Sequence, residues 1–196
     1  MSSSKTMTGV IATAAATATV AAILATGGTT ATAATSSAPA EGSVTVTDSR
    51  RDMLGHGADI FSVKLVNGDR VRTVIQHRDL VRSWKPAASG TIYLDTDRST
   101  EGPDFALVAG LYSGTGYNLY ETEGWKIRYR RPAEGFYNMT LRFAMDRTVL
   151  VVDRDTLGDP AVVRASVHTA GDDGDGHTIH DWLKRPNSFT PWVARR

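Results

Sequence analysis

From Asp59 onward, apolar and polar residues alternate with period two, and Gly, Pro, Asn or Asp interrupt the alternation every few residues. No other feature constrains the fold of this chain as much. Successive side chains of a strand point to opposite faces, so the pattern describes strands with one buried and one wet face. In "DIFSVKLV", Phe61, Val63 and Leu65 share a face while Ser62 and Lys64 point away. Asn67-Gly68 follows, two residues that tolerate positive φ, and then "RVRTVIQ" aligns Val71, Thr73 and Ile75. Together they predict a hairpin over residues 59–76.

The pattern returns in "TIYLDTD", where Ile92 and Leu94 oppose Tyr93 and Asp95, and in "DFALVAGL", where Phe105, Leu107, Ala109 and Leu111 align. "WKIRYRR" puts Trp125, Ile127 and Tyr129 inward, and "MTLRFAM" does the same for Met139, Leu141, Phe143 and Met145. "TVLVV" and "AVVRASV" close the series. The one helical candidate is a single turn in Asp153–Asp159, capped by an Asp and ended by Gly158. The expected fold is all-β: a single antiparallel β-sandwich, jelly-roll-like, of about 8–10 strands. Residues 59–183 form the sandwich, 41–58 a flexible lead-in, and 184–196 an extended tail pinned on it by Trp182, Phe189 and Trp192.

The first 40 residues are of another kind. Lys5 precedes an Ala/Thr/Val/Ile/Leu run from Val10 to Ala25, and "ATA" (Ala31–Ala33) and "APA" (Ala38–Ala40) offer small-x-small cleavage sites. This reads as an export signal cut after Ala33 or Ala40. The run is short and threonine-diluted for a membrane span of about 20 residues, so no span is expected after cleavage. The expected location is secreted, extracellular.

The chain has no cysteine, which excludes thiol nucleophiles, Cys-based zinc sites and disulfides. Core burial alone must hold the fold, and roughly 155 residues suffice for that. Beyond residue 40, 21 basic residues balance 21 acidic ones. That neutrality argues against nucleic acid and anionic membrane as partners.

"ADIFSV", "HRDL", "LGDPAVVRASV" and "DWL…FTPWVARR" occur in an order that resembles a group of exported actinobacterial proteins of unknown function, over essentially the whole segment after the leader. The strand–turn–"LG.P"–strand ending is also similar to β-sandwiches of the carbohydrate-binding module family 9 and DOMON type. The first resemblance implies export and fold but no activity. Its members often carry a cysteine just before "LG.P", where this chain has Thr156. The second implies a sandwich that holds carbohydrate. Fold analogy alone does not assign a function.

The most chemical stretch is "GDDGDGHTIHD". Asp172, Asp173 and Asp175 are hard oxygen ligands on a glycine-rich backbone, as Ca²⁺ requires, but they lack the spacing and terminal Glu of an EF-hand. His177 and His180, with Asp181, lack the i, i+4 spacing and intervening Glu of a zinc protease. The reading is therefore a self-capped loop, with Ca²⁺ as the minority alternative and no cofactor as the main expectation. His77-Arg78-Asp79 has no accompanying kinase motifs, so Asp59 and Asp79 read as a salt bridge or ligand-facing carboxylates.

No nucleophile elbow or phosphate-cradling glycine loop is present. Tyr93, Tyr112, Tyr117 and Tyr120 are the candidate ligand-binding aromatics, flat apolar faces with a polar edge. A secreted, non-catalytic binding or interaction domain fits best, with extracellular polysaccharide or another surface protein as partner. The alternatives are a small secreted hydrolase using paired carboxylates and an adhesive cell-envelope protein without a small ligand.

Overall fold

The computed structural model describes residues 40–48 and 57–196. The expected leader, up to residue 39, and part of the lead-in lie outside the described residues. The described residues are all-β, with two sheets and two 3₁₀ turns, an arrangement consistent with a β-sandwich. Among the described residues no helix is long and apolar enough to cross a membrane.

The five-stranded sheet runs β2 (Ser43–Thr47), β3 (Ile60–Asn67), β4 (Arg70–His77), β10 (Arg147–Asp153), β9 (Tyr137–Arg142), all antiparallel. The eight-stranded sheet runs β1 (Ala40–Glu41), β13 (Val193–Ala194), β11 (Val162–Asp172), β5 (Ser89–Asp95), β6 (Phe105–Gly110), β7 (Tyr117–Glu123), β8 (Lys126–Pro132). Long β11 gives one end of its free edge to β13 and the other to β12 (Thr178–Trp182). The sheet departs from the expected all-antiparallel pairing at one place: β1 lies parallel to β13. The strands β1 and β2 also occupy part of the segment expected to be a flexible lead-in, because Val44 and Val46 alternate inward against the core.

Both sheets contribute to one apolar core. Leu65 and Leu150 from one sheet meet Leu94, Leu107 and Leu119 from the other, all essentially inaccessible to water. Each such side chain contributes about 2 kcal/mol by leaving water. Buried Asp181 is matched in the core: its Oδ2 accepts the Ile60 N–H at 2.7 Å and ties β12 to β3.

The first hairpin is formed by β3 and β4, but not by the turn that its sequence suggests. Neither Asn67 nor Gly68 has positive φ. Asn67 stays in the strand, fully buried, because its side chain has tertiary partners. Its Nδ2 donates to the Val193 carbonyl (3.0 Å), and its Oδ1 accepts from Arg154 Nη1 (2.5 Å). Gly68-Asp69 makes the bend instead. The expected turn near Leu157 is a 3₁₀ turn, Asp155–Leu157, ended by Gly158 at φ 75°. No aspartate caps it, since Asp153 pairs with Arg70 at 2.7 Å.

Candidate functional site

On the five-stranded sheet, the residues facing away from the core follow from the alternation: Val63, Leu65, Val71, Ile75, Leu150 and Val152 are buried inward, so their strand neighbours face out. The register then sets Lys64 beside Val74, and Val74 beside Val149. Val66, Val149 and Val151 continue an apolar strip along this face, and Val149 is only 6% exposed. Long cationic side chains cover such strips with their methylenes while the charged heads stay wet.

Val74, the member of this strip between Lys64 and Val149, floors an open trough of about 970 Å³. Thr45, Ser62 and Gln76 supply hydroxyl and amide groups along it, and Lys64, Arg72 and Arg147 supply charge. Gln76 is held in place, accepting from Arg147 Nε (2.7 Å) and donating to the Met145 carbonyl (2.9 Å). Phe61 stands on the rim at 45% exposure. A bulge between Ile60 and Ser62 turns it out of the core face on which the alternation placed it. The Arg78 guanidinium covers one of its faces at 5.1 Å. Arg78 itself is committed to the fold, donating to Asp59 Oδ2 (3.1 Å), the Ile60 carbonyl (2.8 Å) and the Asp48 carbonyl (3.0 Å).

The residues singled out from the sequence are distributed elsewhere. Asp59 is fully buried against Arg78, Asp79 is half-buried in the loop beyond, and neither lines the trough. Of the four tyrosines, Tyr112 and Tyr117 share a shallow pocket of about 230 Å³ with Phe143 and Leu141. Tyr117 packs toward the core and hydrogen-bonds Asn138. Tyr93 and Tyr120 lie in one cross-strand row with Ala106 on the opposite, outward face of the eight-stranded sheet. The four do not make one platform.

Tyr93 is also covered, at 8% exposure. Trp182 stacks parallel to it, and Trp125 meets it edge-on. Phe189 of the tail closes on Trp125. Burial raises the Tyr93 hydroxyl pKa, with Tyr129 adding to it. The side of "WKIRYRR" expected inward thus faces this second aromatic layer, outside the sheet, and Tyr129 is 64% exposed.

The Asp/His stretch is occupied by its own backbone. Asp172 Oδ1 accepts the Gly174 N–H (2.7 Å), and Asp173 Oδ1 accepts those of Asp175 (2.9 Å) and His177 (3.0 Å). These bonds hold the Asp173 carboxyl below its usual range. His177 pairs with Asp173, while His180 faces His168 (Nδ1 to Nε2, 3.0 Å) and Asp181 faces Ile60. Burial, then the neighbouring His180, lowers His168 to about 4. Among the described residues no three His, Cys, Asp or Glu side chains converge as a metal-holding group.

A carboxylate pair does exist. Burial raises Asp95 to about 6 against the pull of Arg164 (Nη2 to Oδ2, 2.5 Å), and Asp104 raises it further. Asp104 is spent on the backbone of Thr96 and Asp97. Arg164 lies against Phe189 (4.2 Å) and Trp192 (4.4 Å), so the tail's rings cover the pair's cation.

The sequence reading missed Lys64, Arg72 and Arg147. Their signal was present: each is the charged member of an alternating strand, and all carry the same sign. Only the strand order shows that these strands are neighbours in one sheet. No protein-family model matches the chain, and no curated protein is significantly similar to it.

Proposed function

We propose that this chain is a non-catalytic binding domain, a β-sandwich of the jelly-roll kind, that acts outside the cell and holds a carbohydrate chain across the outward face of its five-stranded sheet. The observation that carries the reading is the trough: an apolar floor at Val74 with Phe61 on the rim, flanked by Thr45, Ser62 and Gln76. A sugar ring has the complementary surface, with apolar C–H faces and a polar equator. Pre-formed concavity, an apolar lining and a few fixed polar groups are what small-ligand and glycan sites share.

A hydrolase reading would need two open carboxylates about 5–10 Å apart. Among the described residues no acid lines the trough, and the Phe189 and Trp192 rings lie against Arg164, the cation paired with Asp95.

The test is a glycan array with insoluble-polysaccharide pull-down, wild type beside a Thr45→Ala/Gln76→Ala variant, with released reducing ends measured in parallel. Retention that the variant weakens, without release of sugar, is the expected result. Retention by neither protein on any glycan would overturn the reading.

A further inference from the structure

The trough's charges select among carbohydrates, an inference that rests on the reading just given. Lys64, Arg72, Arg142 and Arg147 all stand at outward positions of the five-stranded sheet and are exposed. Among the described residues none of the four has an ion-pair partner. The one acid at an outward position of these strands, Asp153, is already neutralised by Arg70 at 2.7 Å. A chain that balances its charges overall has therefore put a run of uncompensated cations on one face.

Their placement is regular. Lys64 and Arg72 sit on adjacent strands one diagonal step apart, about 7–8 Å. Arg147 pairs with Gln76, so strand geometry puts it about 14 Å from Arg72, with Val74 and Val149 between. We propose that the trough selects carboxylate-bearing polysaccharides, polyuronates, with a sugar ring lying on Val74 beside Phe61 and carboxylates reaching Lys64, Arg72 and Arg147 around it. Three of the four cations are arginines, whose planar fork matches a carboxylate with two parallel hydrogen bonds.

Other polyanions fit less well. Duplex DNA presents a charge every ~1.7 Å along its axis and calls for a dense basic stripe. Anionic membranes recruit clusters of about 4–8 adjacent Lys/Arg. Here Arg72 and Arg147 are spaced by Val74 and Val149, so the cations do not form a continuous stripe.

The experiment compares alginate, neutral dextran and duplex DNA by biolayer interferometry at about 50 and about 200 mM NaCl. Alginate should bind, about tenfold more weakly at the higher salt, and dextran weakly without salt dependence. Arg72→Glu/Arg147→Glu should abolish alginate binding, and Arg72→Gln/Arg147→Gln should weaken it. Arg130→Glu, on the exposed edge of β8, should change nothing, and unchanged melting temperatures would confirm that each variant is folded. Equal, salt-independent binding of dextran and alginate would overturn the inference while leaving a carbohydrate site standing. Tighter binding of DNA than alginate would also overturn it. Binding of neither polysaccharide would remove the underlying reading too.

Discussion

His77 should make the fold sensitive to acid, and a single substitution should isolate the effect. Its ring is buried (2% exposed), with Nε2 2.9 Å from Thr148 Oγ1. Burial lowers its pKa from 6.5 to about 4, and the Ala58 backbone offsets this only in part. Below pH 6.5 the unfolded chain takes up a proton that the folded chain refuses. Stability contributed by neutral His77 is therefore complete above that pH and lost as pH falls toward 4. Each pH unit is worth about 1.4 kcal/mol, so moving from about pH 7.5 to about 4.5 costs roughly 2–3 kcal/mol.

Asp95 works against this. Its pKa is raised from 3.8 to about 6, so the folded state keeps a proton that the unfolded state releases between those values. That costs stability as pH rises through the window, and acidification relieves roughly 2 kcal/mol. His168, also lowered to about 4, adds a loss in acid of the same sign as His77, so the wild-type protein alone does not isolate His77. His77→Gln keeps an amide near Thr148 and removes the titration. In urea unfolding followed by tryptophan fluorescence, the stability gap between wild type and His77→Gln should shift by roughly 2–3 kcal/mol between the two pH values, in favour of the variant in acid. A gap constant to within about 0.5 kcal/mol would refute the assignment of a neutral, sequestered imidazole.

Two further outcomes follow from hydrogen bonds already described. Asn67→Ala removes one bond to the Val193 carbonyl and one from the buried Arg154 guanidinium, so it should cost about 2–4 kcal/mol, read as a lower urea midpoint with an unchanged slope. Asp173→Ala should lower the melting temperature slightly by freeing the loop that it caps, and millimolar Ca²⁺ should not move the wild-type melting temperature, because backbone N–H groups and His177 already hold that carboxylate.

Alternation made the strands legible in the sequence. Ile92, Leu94, Leu107 and Ala109 are core residues as the pattern implied. It did not reveal which of a strand's two faces meets the core. Tyr93 and Trp125 were assigned opposite environments, yet they pack on each other, because the eight-stranded sheet carries a second aromatic layer on its outward side. That layer needs Trp182 and Phe189, which are remote in sequence and irregularly spaced. The trough was illegible for a related reason. Lys64, Arg72 and Arg147 look like ordinary solvated positions until β10 is known to lie beside β4, a pairing that spans more than seventy residues. The Asp/His loop drew attention through composition, which records residue types and not what those residues are bonded to.

The parallel pairing of Ala40 with Val193 and of Glu41 with Ala194 has a consequence in time. The first described strand has its partner more than 150 residues further along the chain. The Asn67 amide likewise waits for the Val193 carbonyl, and the Asn67 carbonyl for the Arg196 N–H. This edge of the sheet cannot close until residues 193–196 have been made, because contacts of this sequence separation wait for the later segment. The β1 edge is therefore the late-locking part of a sheet whose β5, β6 and β7 can pair as neighbours in sequence.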